Sequence, residues 1–145
     1  MNYRIINWKI ISCRFFIISI CLPIGVLGVF YFLKDVVFKD KKSNHFAFLG
    51  SLFYLFNLGT LQHFYVPFEM FTVGYAAIPW LFWSVARFLI DASKKNLAIF
   101  ILITLFASPM AYAPVLWYVY SGALVLFLVS FIKIKFWKGT FTYSA

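Results

Sequence analysis

Long apolar stretches separated by short polar connectors run along most of the chain. A helix needs about 20 apolar residues to cross the hydrocarbon core of a bilayer, and several stretches approach that length. The pattern predicts an all-α, polytopic transmembrane bundle of about five spans, forming a single transmembrane domain over residues 1–145. The predicted spans are residues 10–33, 46–66, 75–90, 97–109 and 114–132.

The division of the last apolar stretch depends on prolines. An uncharged run covers residues 97–132, and one helix of that length would extend about 54 Å. The hydrocarbon core is only about 30 Å thick. Pro109 and Pro114 lie near the middle of the run and should break a helix there. Two spans joined by a tight outer turn are therefore predicted, with a re-entrant first segment as the alternative.

The composition agrees with a lipid environment. Hydrophobic residues make up 64% of the chain, charged residues 12%, and the mean hydropathy is +0.91. Soluble domains average roughly 45–50% apolar and about 25% charged residues. A small soluble domain could not hide so much apolar surface from water, so the lipid bilayer is the expected surrounding.

The positive charge has a pattern that argues against nucleic acid. Thirteen Lys and Arg against four Asp and Glu give a formal net charge of +9. Nine lysines lie in three groups between or after the apolar runs: Lys34, Lys39, Lys41, Lys42, Lys94, Lys95, Lys133, Lys135 and Lys138. A nucleic-acid footprint would gather on one exposed face. Basic groups in short connectors are instead typical of the cytoplasmic side of a membrane, so nucleic acid is not expected as a partner.

This charge distribution also predicts an orientation in the plasma membrane. Five spans with the N-terminus outside place all three lysine groups and the C-terminus on the cytoplasmic side. The N-terminal region is predicted to be a retained helix, because Arg14 interrupts it and no small-residue cleavage site follows. An N-terminus outside without a signal peptide is unusual, so we expect the chain to be a fragment of a larger domain.

The cysteines and the membrane-embedded charge have structural explanations. Cys13 and Cys21 would be separated by about 12 Å along a helix, whereas a disulfide needs Cα atoms within about 7 Å. Arg87 lies inside the third predicted span, where a charge is a candidate for function. Asp91 follows it by four residues and offers a simple ion-pair partner.

Glu69 is the one acidic residue that this topology places on the outer side, which makes it the candidate catalytic residue. An acid there could act as a general base or hold a divalent cation, and the alternative is an ordinary residue of an interfacial loop, predicted over residues 68–72. His63 lies nearby in sequence, although Pro67 intervenes. The chain contains no phosphate-cradling glycine loop, metal-ligand spacing or serine–histidine–acid arrangement.

Several short segments resemble an interior part of a GT-C class membrane glycosyltransferase, with the arabinofuranosyltransferase-like N-terminal membrane region as the nearest likeness. The resemblance covers roughly residues 46–132. It is carried by LFYLFN at 52–57, VPFE at 66–69, YAAIPW at 75–80, ASP at 107–109 and YAP at 112–114.

The resemblance implies transfer of a sugar from a polyprenyl-phosphate donor to an extracytoplasmic acceptor, with His63, Asn57 and Tyr112 as candidate substrate-binding residues. The resemblance is also compatible with a divalent cation, and no other cofactor is evident. The catalytic acid of such proteins usually lies in the first outer loop, whereas residues 34–45 here are predicted inside. Leu58 also stands where the pattern prefers proline. We therefore carry over no catalytic residue and expect a chain that is incomplete or inactive without a companion chain.

Two alternatives from other functional classes remain. A small transporter subunit could use helices broken near Pro79 and Pro109 to line a substrate path, although the spans carry almost no charge for coupling ions. A non-catalytic membrane assembly protein would need no site at all.

Overall fold

The computed structural model describes residues 3–38, 44–57, 59–60 and 69–142, and for residues 3–11, 13–14, 69 and 133–142 it describes the backbone alone. Every regular element in these ranges is helical, which confirms the all-α prediction. The elements are α1 (Tyr3–Phe32) with a π-helical turn (Leu33–Val37), α2 (Asn44–Phe56), α3 (Glu69–Ile90), α4 (Lys94–Phe106), a 3-10 helix (Ser108–Tyr112) and α5 (Pro114–Thr142).

Three of the described helices are long and apolar enough to cross a membrane, namely Phe15–Val37, Met70–Ile90 and Pro114–Ile132. These helices indicate a membrane-embedded protein. Helices α2 and α4 have 13 residues each and rise only about 20 Å, less than the hydrocarbon thickness of about 30 Å. The predicted number of helices is therefore close to that observed, but two of them are short.

Several helix boundaries differ from those of the predicted spans. Helix α3 begins at Glu69 rather than at residue 75, so that Pro79 lies in mid-helix and not in the first turns. Residues 69–72 carry no glycine or proline that would stop a helix, and the proline at 67 precedes the helix start, where proline is tolerated. Helix α2 ends at Phe56, inside the second predicted span of 46–66, whose residues 58 and 61–66 lie outside the described residues. Helix α4 ends at Phe106, before the 3-10 helix.

Helix α3 is the centre of the described bundle. Half of its membrane-spanning window is buried inside the protein, against 28% for α1 and 6% for α5. On one side, Tyr75 of α3 packs with Ile18 and Leu22 of α1. On the other side, Ala77 and Leu81 form a core with α4, the 3-10 helix and α5. Helix α5 therefore leaves most of its apolar surface for contact with lipid.

Two glycines let α1 and α3 approach closely. A Cβ atom on Gly25 would lie 2.6 Å from Cε1 of Tyr75, and one on Gly28 would lie 2.8 Å from Cδ1 of Trp80. Small residues allow such close packing of membrane helices, where dispersion rather than the hydrophobic effect drives association. The approach also lets the Trp80 indole donate a hydrogen bond of 2.9 Å to the backbone carbonyl of Ile24.

The proline inside α3 is accommodated by a side chain from α2. Pro79 has no backbone N–H to donate to the carbonyl of Tyr75, four residues earlier in the helix. The hydroxyl of Tyr54 donates to that carbonyl at 2.8 Å. Neighbouring helices commonly satisfy the backbone groups that proline frees in a membrane protein, and here the replacement donor also fixes α2 against α3.

Candidate functional site

The two ends of the bundle differ in chemistry. At one end, which we call the turn end, the bend at Asn57, the start of α3 and the 3-10 helix lie together. Tyr54 stacks on Tyr75 there, and Gly74 faces the sulfur of Met110 in the 3-10 helix. At the other end, which we call the lysine end, the π-helical turn, the start of α2, the end of α3 and the start of α4 meet around a cavity.

Asn57 has a structural role at the turn end. Its Oδ1 accepts a hydrogen bond of 2.9 Å from the backbone N–H of Thr60, and its Nδ2 donates to the carbonyl of Tyr54 at 2.8 Å. The Thr60 hydroxyl, on a residue only 1% exposed, donates to the same carbonyl. Asn57 thus ends α2 and caps the next turn. Thr60 is buried and Asn57 is partly buried.

Of the other candidate residues, Tyr112 alone has a side chain that the structure describes. Glu69 is the first residue of α3, not a loop residue as predicted, and its side chain is outside the description. His63 lies outside the described residues. Tyr112 ends the 3-10 helix with 81% of its surface exposed. The proposed roles of these residues therefore stay predictions.

The cavity at the lysine end has a volume of about 880 Å³. It is lined by charged, polar and apolar side chains from four elements: Lys34, Asp35, Val36, Phe38, Asn44, Arg87, Ile90, Asp91, Ser93, Lys95, Asn96 and Ile99. Three lining residues are cations and two are acids, so the formal charge of the lining is +1. This cavity combines charged groups, hydrogen-bonding groups and apolar walls at the lysine end of the bundle.

A tryptophan organises one wall of the cavity. The indole Nε1 of Trp83 donates a hydrogen bond of 2.9 Å to Oδ2 of Asp35, which ties α3 to the π-helical turn. The guanidinium of Arg87 lies over the same ring, 4.9 Å from its centroid. Stacking of this kind is favourable for arginine because its planar cation meets the negative face of the ring.

The connection between α3 and α4 also lines the cavity. The Ser93 hydroxyl accepts from the backbone N–H of Asn96 at 3.3 Å and caps α4. The Asn96 amide, on a residue 8% exposed, donates both to the backbone carbonyl of Asp91 at 2.8 Å and to its carboxylate at 3.1 Å. These bonds hold the first turn of α4 against the end of α3.

In the structure, Arg87 contacts Trp83 in place of its predicted partner Asp91. Asp91 directs its carboxylate to Asn96, and the Arg87 guanidinium packs on Trp83. The backbone N–H of Asp91 still donates to the carbonyl of Arg87 at 2.9 Å, so Asp91 closes the last helical turn of α3. Its carboxylate turns to the Asn96 amide, which also donates to the Asp91 carbonyl.

Sequence reasoning missed this cavity. Its lining residues extend from Lys34 to Ile99 along the chain, and most of them look like ordinary connector residues when read alone. The signal available in the sequence was Arg87 within an apolar span, because a charge inside a membrane is costly and usually contacts a partner. The spacing of four residues also makes Trp83 a possible neighbour of Arg87 on a helix, whereas nothing in the sequence pairs Trp83 with Asp35.

Within the described residues, no three His, Cys, Asp or Glu side chains form a group that could hold a metal ion. Comparison with known protein families, with curated proteins and with solved structures finds no match to this chain.

Proposed function

We propose that this chain is the membrane-embedded helical part of a lipid-linked sugar transferase of the GT-C class. In this role it helps to move a sugar from a polyprenyl-phosphate donor to an extracytoplasmic acceptor. A further segment or companion chain completes the transferase and supplies the missing catalytic groups. The chain by itself is inactive in this proposal.

The arrangement of the turn end is the observation that supports this proposal. The segments that carry the GT-C resemblance are separated along the sequence, yet the bend at Asn57, the start of α3 and the 3-10 helix lie at one end of the bundle. Lys34, Lys94 and Lys95 lie at the other end, and basic connectors are typical of the cytoplasmic side. A transferase that acts outside needs its turns on the side opposite the lysines.

A deletion experiment tests the proposal. A host strain that lacks this chain should accumulate the polyprenyl-phosphate-linked sugar and lose the glycan made from it, and expression of the wild-type chain should restore both amounts. The pools are measured by mass spectrometry of extracted lipids and of released glycan. Unchanged pools after deletion would contradict the proposal and favour a transporter subunit or an assembly protein.

Two matched variants test whether Glu69 is the catalytic carboxylate. Glu69→Gln changes the turn end, whereas Asp91→Asn removes the same charge at the lysine end. If Glu69 is the general base, glycan formation falls about 100-fold or more with Glu69→Gln and stays normal with Asp91→Asn. Equal restoration by both variants would assign the acid to the companion segment.

A further inference from the structure

We propose that the cavity at the lysine end binds the phosphate of an anionic phospholipid headgroup. The cavity belongs to none of the segments that carry the proposed transferase function, so the inference does not depend on that function. It rests on the charges, the helix ends and the apolar walls that meet there.

The cations in the cavity are available to an external anion. Lys34, Arg87 and Lys95 come from three different elements. Arg87 lies over the Trp83 ring and Lys34 lies 5.8 Å from the centroid of Phe30. In the part of the chain that the structure describes, neither of these two cations forms an ion pair with a carboxylate.

The two acids of the cavity are already engaged by neutral donors. Asp35 accepts from the Trp83 indole and Asp91 accepts from the Asn96 amide. Hydrogen bonds of this kind hold the carboxylates in place and leave the cationic groups to a ligand. The lining has a formal charge of +1, which matches the single negative charge of a phosphodiester.

Two helix N-termini at the cavity also favour binding of an anion. Helix α2 starts at Asn44 and α4 starts after its cap Ser93, and both residues line the cavity. The N-terminus of a helix carries a partial positive charge and free N–H groups, which favour phosphate. Two such ends therefore reinforce the three cationic side chains.

The position and the walls of the cavity favour a lipid over a free phosphate ester. Two candidate membrane spans, Phe15–Val37 and Met70–Ile90, end at the cavity, which places it at the level of the headgroups. Ile90, 56% exposed, together with Phe38 and Ile99 lines the apolar part. Basic residues beside a span attract anionic lipids of the same leaflet.

Lys94 and Lys95 provide a matched test. Both are exposed and adjacent in the first turn of α4, but only Lys95 lines the cavity. The purified chain is incubated with phosphatidylglycerol or phosphatidylcholine, and bound lipid is counted by native mass spectrometry. We expect wild-type protein to retain phosphatidylglycerol preferentially, Lys95→Gln to retain about fivefold less, and Lys94→Gln to match the wild type.

Equal losses in both lysine variants, or normal retention by Lys95→Gln, would overturn the proposal. Glycerol phosphate is added in a competition arm. Failure to displace phosphatidylglycerol supports the lipid as the ligand, and displacement at comparable concentration overturns the lipid assignment in favour of a free phosphate ester. Arg87→Gln is a second variant with an expected loss, and thermal unfolding in detergent shows whether each variant is folded.

Discussion

The hydroxyl of Tyr54 in α2 donates to the backbone carbonyl of Tyr75 in α3 at 2.8 Å, and the two rings stack with centroids 4.4 Å apart. The Tyr75 hydroxyl reaches back to the carbonyl of Tyr54 at 3.4 Å. The Tyr54 hydroxyl thus supplies the donor that the Tyr75 carbonyl lacks because Pro79 has no N–H. The bond links the proline in α3 to the position of α2.

Tyr54→Phe should destabilise the protein by about 1 kcal/mol, because the ring stack remains but the donor to the Tyr75 carbonyl is lost. In a Pro79→Ala background the alanine N–H can donate to the Tyr75 carbonyl within α3. Tyr54→Phe should then lower the free energy of unfolding by less. Unfolding in mixed detergent micelles, measured for the four members of this double-mutant cycle, tests the coupling. Equal costs in both backgrounds would show that Tyr54 does not replace the proline's missing donor.

Gly25→Ala should destabilise the protein by about 1–3 kcal/mol through overpacking. The added Cβ would meet the Tyr75 ring at 2.6 Å and its backbone oxygen at 3.1 Å, and the stack on Tyr54 limits how far that ring can shift. Gly122→Ala is the control, since nothing lies within 4 Å of a Cβ there. It should be neutral or stabilising, because alanine is the better helix former by about 1 kcal/mol. Thermal unfolding that ranks the two variants alike would argue against the close packing of α1 on α3.

Asn57→Ala should lower stability by about 1 kcal/mol, because it removes the cap on the Thr60 N–H and the donor to the Tyr54 carbonyl. Asn57→Asp keeps the accepting oxygen and loses only the donor, so it should cost less. Both are measured by unfolding in detergent. If Asn57→Ala unfolds like the wild type while glycan formation falls, Asn57 binds substrate instead of capping the helix.

The orientation predicted from the lysines can be measured by cysteine labelling. With Cys13 and Cys21 replaced, Tyr112→Cys should react with a membrane-impermeant maleimide in intact cells. Lys95→Cys should react only after permeabilisation. Both positions are exposed in the structure, so that accessibility to the reagent reports the side of the membrane. The reverse labelling pattern would place the lysine end outside.

The helical architecture was largely predictable because it follows from local properties. Uncharged runs of sufficient length favour helices in lipid, where the backbone must satisfy its own hydrogen bonds. Prolines marked the turn before α5, and Pro114 does begin that helix. The start of α3 was misplaced because a proline near a helix start and a proline inside a helix look alike in sequence.

The candidate site was less predictable. The bend at Asn57 uses partners three residues away in either direction, and such local bonds can be expected from an asparagine beside a helix end. The bond between Trp83 and Asp35 spans 48 positions, and that between Trp80 and Ile24 spans 56. Gly28 allows the bond between Trp80 and Ile24 because it lets α1 lie close to α3. The sequence does not show which glycines face a neighbouring helix.

The sequence by itself determined that this is an apolar, all-helical chain with basic connectors, because hydropathy, charge and proline act over one or two helical turns. The tertiary structure decided that Tyr54 serves the Tyr75 carbonyl, that α3 forms the centre, and that four separated segments enclose a cavity at the lysine end. Those outcomes depend on which helix faces pack together. That choice is made by shape at close contact, and no local pattern in the chain encodes it.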